Sequence, residues 1–191
     1  MTAAEPQLPD LTRELIDRAT KAAMRRAGRV RNHLDAVRLG QGRHADHADT
    51  KVLRRILTEH GWPGHRLVGP EGAHAAWSLA LHADDEPDFQ RAATTLLQRA
   101  VQAHDARIQH WAHLYDRTLI NSGRRQEHGT QLLLNPEGVT LCPLRAPESL
   151  DERRATVGLT SIAAALERAR RRNAPDHLAE DAPTVVLAGA A

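Results

Sequence analysis

Residues 70–84 read P-E-G-A-H-A-A-W-S-L-A-L-H-A-D. The spacing predicts a helix that starts after Pro70 and runs to about His82. Placed at 100° per residue, Ala76, Trp77, Leu79, Ala80, Leu81 and Ala83 cover nearly its whole circumference. A helix apolar nearly all round belongs inside a protein, so the stretch implies a buried helix in a helical core. Its one polar strip is Glu71, His74, Ser78 and His82. Two readings of that strip stand side by side: a pocket wall, or a solvated stripe carrying a satisfied histidine.

Moving outward, Asp10 is a candidate N-cap for a long amphipathic helix. Its inward positions are Leu11, Leu15, Ile16, Ala19, Ala23, Ala27, Val30, Leu34 and Val37, and Gly40 and Gly42 are expected to end it. A second helix, marked by Val52, Leu53, Ile56 and Leu57, stops at Gly61 and Pro63. Between them, residues 44–49 read H-A-D-H-A-D, which places Asp46 and Asp49 at a helix start, where they can cap free N–H groups. Two further helices are predicted at about 87–104 and 107–121. Then Q-L-L-L-N-P-E-G-V-T-L-C-P-L sets two apolar runs around a Pro/Gly turn, the pattern of a β-hairpin. Ser149 and Glu152 suggest a capping box before a short helix interrupted by Gly158. A last helix from about Thr160 ends in R-A-R-R-R. The expected architecture is mainly α: a compact domain of about six helices with one small hairpin near residues 130–144. Residues 1–9 read as a flexible leader, 10–172 as a single helical domain, and 173–191 as a disordered Ala/Pro-rich tail.

The chain has 191 residues, enough for one domain with a sizeable core. Twenty-six basic and 24 acidic residues nearly balance, which does not suggest nucleic acid. All but two of the basic residues are arginine, which fits a GC-rich bacterial genome. The single cysteine, Cys142, excludes an intrachain disulfide and reads as a packed strand residue. No signal peptide and no stretch of about 18 apolar residues is present, so the expectation is a soluble cytoplasmic protein without membrane partners. No phosphate loop, nucleophile elbow, H-E-x-x-H or dinucleotide fingerprint occurs.

Three polar groups could carry chemistry. The first is the strip ending at His82, with Asp84 two residues on. The second is on the fifth helix. His110 and His113, at i,i+3, read as metal ligands or as a plain surface face. Asp116 and Arg117 read as an ion pair, or Arg117 as a clamp for a substrate carboxylate. The third is Q-E-H-G-T-Q at 126–131, where Gln126, His128, Thr130 and Gln131 offer donors and acceptors at a junction, or serve ordinary turn chemistry. Arg168 to Arg172 complement a helix dipole.

Taken in order, Asp46 and Leu53, H-G-W-P at 60–63, Val68-Gly69, A-A-W at 75–77, H-A-D at 82–84 and Phe89-Gln90 form a series. L-Y-D-R at 114–117, Gln126, G-T-Q at 129–131, L-D-E-R-R and Gly158-Leu159 complete it. This series resembles a bacterial family of domains of unknown function, common in high-GC bacteria, over about residues 24–160. Each motif is weak alone; their order and spacing are more specific. The resemblance implies that Asp46, His82, Asp84, Asp116, Arg117, Gln126 and Gln131 belong together. The chain departs from the family's pattern at polar positions. Gly28-Arg29 stands for an Asp-Gln pair, Leu81 for a Gln, His128 for a Tyr and Asp49 for an Asn or His. These swaps imply a specialised activity, or loss of the ancestral one.

The leading expectation is a metal-independent acid/base enzyme for a small polar, anionic metabolite, in a specialised biosynthetic pathway. His82, Asp84 and Asp116 would be catalytic. Asp46, Ser78, Arg117, Gln126, His128 and Gln131 would bind substrate, with no cofactor and with a homodimer left open. One alternative is a metal-dependent hydrolase-like enzyme with His82 and aspartate ligands. The other is a non-catalytic binding or partner protein, in which the same groups form a polar core network.

Overall fold

A computed structural model describes residues 5–31, 36–135 and 138–173. The side chains of residues 28–41 and 135 also lie outside this description. Seven α-helices and one two-stranded sheet occur among the described residues, so the fold is mainly α. In order they are α1 (Pro9–Arg31), α2 (Ala36–His60), α3 (His65–Leu81), α4 (Pro87–Gln102), α5 (Ile108–Asn121), β1 (Leu132–Asn135), β2 (Gly138–Leu141), a 3-10 turn (Pro147–Ser149), α6 (Leu150–Thr156) and α7 (Ile162–Arg172). No helix among them is long and apolar enough to cross a membrane. Chain contacts gather the residues into two compact units, divided within α5 between Leu114 and Tyr115.

In the first unit α3 is the buried helix that its composition requires. Ala73, Ala75, Ala76, Leu79, Ala80 and Leu81 are all buried. Around it Leu15, Leu53, Phe89 and Leu97 are almost wholly withdrawn from solvent. Each such side chain contributes about 1.5–3 kcal/mol of transfer free energy. The small side chains of α3 let α1 approach closely. A Cβ on Gly72 would sit 3.2 Å from Thr12 Cγ2 and 2.8 Å from Val68 Cβ. Thr12 Oγ1 meanwhile donates to the Val68 carbonyl at 3.0 Å.

The helix proper begins at Pro70, after one earlier turn, His65–Val68. Gly69 separates the two at φ 69°, ψ 173°, left-handed backbone that favours glycine. Asp105 holds the N-terminus of the earlier turn, taking the His65 N–H on its carbonyl at 2.9 Å and the Arg66 N–H on its carboxylate at 2.8 Å. Residues 6–8, read as part of a leader, are tied to the same turn: Gln7 and Leu8 donate N–H bonds to the Arg66 and Leu67 carbonyls.

Two boundaries differ from the sequence reading. The first helix ends at Arg31, and α2 starts at Ala36 and runs straight through Gly40 and Gly42. A helix-interior glycine costs only about 1 kcal/mol, which the buried Leu53, Ile56 and Leu57 of the same helix outweigh. H-A-D-H-A-D is therefore helix interior, and Asp46 and Asp49 cap nothing. The capping box also fails to form. Ser149 makes no side-chain cap to α6, because its hydroxyl instead accepts from Arg153 at 2.7 Å.

In the second unit the expected hairpin is present. Its strands are antiparallel, with Leu132 opposite Leu141 and Asn135 opposite Gly138. The turn residues Pro136 and Glu137 lie outside the described residues, as does the tail from residue 174. Gly158, in left-handed backbone at φ 64°, follows α6, and the Ser161 hydroxyl caps α7 by accepting from the Ala164 N–H.

Candidate functional site

The first unit contains a small cleft lined by Ala22, Arg26, Asp46, Asp49, Thr50, Leu79 and His82. It has room for about one water molecule. Three helices build it. Asp46 and Asp49, at i,i+3, share one face of α2, and α1 answers with Arg18 and Arg25, seven residues apart. Arg25 reaches Asp46 at 3.0 Å and Asp49 at 2.6 Å, and Arg18 reaches Asp49 at 3.0 Å. Burial pulls the Arg25 guanidinium down, but hydrogen bonds and charge from Asp46 and Asp49 outweigh it and raise its pKa. Arg18 behaves alike, between Asp49 and Glu14. Next along α1, Arg26 donates to the Ser78 hydroxyl on α3 at 3.5 Å.

His82 stands at the C-terminal end of α3, where the chain leaves helical geometry at φ −104°, ψ 12°. Gln90, wholly buried on α4, braces this corner. Its amide nitrogen lies 3.2 and 3.1 Å from the Ala80 and Leu81 carbonyls and 3.3 Å from an Asp84 carboxylate oxygen. Of the predicted residues, Asp46 and His82 thus share the cleft lining. Ser78 bonds the lining residue Arg26, and Asp84 is held against Gln90 beside His82.

The remaining predicted residues form a buried network in the second unit. Asp116 is completely buried, and its carboxylate accepts four donors. These are the N–H groups of Glu127 (2.8 Å), His128 (3.1 Å) and Thr130 (3.0 Å), and the Thr130 hydroxyl (2.9 Å). The Gln126 amide donates to the Gln131 and Cys142 carbonyls and accepts from the Gln131 N–H. Arg117, 2% exposed, reaches the Gln131 side-chain oxygen at 3.5 Å. From α6, Arg154 donates to the carbonyls of His128 (2.5 Å), Gly129 (3.2 Å) and Thr160 (2.7 Å). Burial pulls His128 below the ordinary imidazole pKa, against the opposing charges of Asp116 and Glu127. The Arg145 hydrogen bond holds Glu127 below the usual carboxylate range. These groups hold the 126–131 turn in place, Gly129 adopting φ 62° within it.

A third cluster lies on α3 and the start of α5. Trp77 stacks on His110 with ring centroids 4.4 Å apart and planes 10° from parallel, and its indole N–H donates to the His110 carbonyl at 2.9 Å. Burial first, then the charges of His74, Arg107, His113 and His65, lower the His110 pKa to about 3. Among the described residues, no three His, Cys, Asp or Glu side chains gather in a metal-holding arrangement.

Sequence reasoning missed Arg18, Arg25 and Arg26, because in so arginine-rich a chain single arginines carry no signal. The usable signal was the seven-residue spacing of Arg18 and Arg25, set against two aspartates three residues apart. Gln90 and Arg154 stand in motifs of the ordered series, Phe89-Gln90 and L-D-E-R-R, whose spacing carries no signal for what they brace.

The model of a family of unknown function, DUF6624, matches residues 9–170, and the chain belongs to that family. Among curated proteins and solved structures, nothing matches.

Proposed function

We propose that this DUF6624 member is an enzyme that acts on a small polar, anionic metabolite by acid/base chemistry without a metal. One observation carries the reading: His82 lines the same cleft as Asp46, Asp49 and Arg26. An imidazole titrates near neutral pH and moves a proton in either direction. Arg26, held by Ser78, supplies the charge for an anionic group, and the Asp46/Asp49 pair, locked by Arg18 and Arg25, sets the field around His82. Asp116 and Gln126, committed to the 126–131 turn, become scaffold in this reading. The setting is a bacterial cytoplasm and a specialised pathway, with the chain alone or as a homodimer.

The test is a screen of small carboxylates and phosphate esters by mass spectrometry, on wild type, His82→Gln and Arg26→Met. The His82 variant should lose about 10²–10⁴-fold in turnover of any substrate found, while Arg26→Met should weaken binding. Wild-type turnover by His82→Gln would sink the proposal.

A further inference from the structure

We infer that His74 and His110 form a two-imidazole binding site for a tetrahedral transition-metal ion of the Zn2+ type. His74 Nδ1 and His110 Nε2 lie 3.4 Å apart, one on α3 and one in the first turn of α5. With Zn–N bonds of about 2.05 Å, two nitrogens on a tetrahedral edge are separated by about 3.3–3.4 Å. The two rings already stand at that spacing. An octahedral or square-planar ion needs its neighbouring nitrogens closer, at about 2.9 Å for similar bond lengths, so the spacing as it stands matches a tetrahedral edge better.

The site is also held in advance. His110 is clamped by its stack on Trp77 and by the bond from the Trp77 indole to its own carbonyl. His74 packs on the same indole at 5.1 Å and is exposed, so an ion reaches the pair from solvent. In the unliganded pair, a ring N–H of one imidazole faces the lone pair of the other. On binding, that proton moves to the same ring's second nitrogen, and both facing lone pairs turn to the ion. Water fills the two remaining positions. With two protein ligands, and with Arg107 near enough to act on both rings, the site is weaker than a closed four-ligand centre. It belongs to a different cluster from the His82 cleft and does not depend on the proposed enzymatic role.

The test uses the untagged full-length protein. Zn2+ titrated by calorimetry should show one site whose affinity falls about tenfold or more in both His74→Ala and His110→Ala, since even outer-shell losses cost that much. Co2+ should compete with Zn2+ for the same site, and that competition should be lost in His74→Ala. His74 is exposed, so this variant should keep its far-ultraviolet dichroism and remain interpretable if His110→Ala misfolds. His47→Ala, at an exposed histidine beside Glu86, should leave binding unchanged. Absence of a stoichiometric site in wild type, or equal affinity in wild type and His74→Ala, would overturn the inference. So would loss of binding on His47→Ala alone.

Discussion

Replacing Asp116 by Asn distinguishes scaffold from catalyst through a quantity the geometry sets. Oδ1 accepts from the N–H groups of Glu127 and His128. Oδ2 accepts from the N–H groups of His128 and Thr130 and from the Thr130 hydroxyl. The His128 N–H faces both oxygens and keeps whichever stays a carbonyl, so at least one donor, the Glu127 N–H or the Thr130 N–H, then faces an NH2 group. A buried donor left unsatisfied costs about 1–3 kcal/mol. Glu127 and Thr130 are only partly buried, which puts the cost near the lower end, about 1–2 kcal/mol. For a chain of this length, each kcal/mol lowers Tm by about 2–4 °C, so Asp116→Asn should melt about 2–8 °C below wild type. Asp116→Ala, which strands all four donors, should cost about 3–5 kcal/mol. Urea unfolding followed by circular dichroism reads both. An Asn variant within about 0.5 kcal/mol of wild type would refute the scaffold reasoning, because surface-like substitutions behave that way and saturated buried carboxylates do not.

Two further outcomes follow from local geometry. A Cβ on Gly64 would collide with the carboxylate and carbonyl of Asp105, the groups that cap α3. Gly64→Ala should therefore lose about 1–3 kcal/mol in thermal unfolding, and a Tm unchanged within a degree would contradict the contact. The pH dependence rests on His110, whose folded pKa of about 3 lies below the ordinary 6.5. The unfolded state then binds the extra proton. The stability from the neutral ring is full above pH 6.5 and is lost as pH falls toward 3, by at most about 1.4 kcal/mol per unit and less for a ring partly open to solvent. With chelator present, His110→Leu should flatten the wild-type fall in Tm between pH 6.5 and 4; parallel profiles would show that His110 does not carry it.

Much of the fold was legible because periodicity reports burial. Residues 75–81 read as a buried helix, and the apolar runs before Asn135 and after Gly138 read as a hairpin, as the structure has them. The α1–α2 boundary was misread because Gly40 and Gly42 look like a stop, and nothing local says that later apolar residues will carry the helix through them. Asp46 was picked out and its location misjudged for the same reason.

The candidate site was legible only as separate residue types. Side-chain chemistry and helical spacing singled out His82, Asp46 and Asp116, and their order along the chain marked the family. Local sequence encodes neighbours three or four positions apart. The meeting of Arg25 with Asp46, 21 residues on, is decided by how two helices pack. So is the joining of His74 and His110 across 36 residues. Packing also decided that Asp116 spends its whole carboxylate on one turn, because only the folded chain brings four donors to a single pair of oxygens.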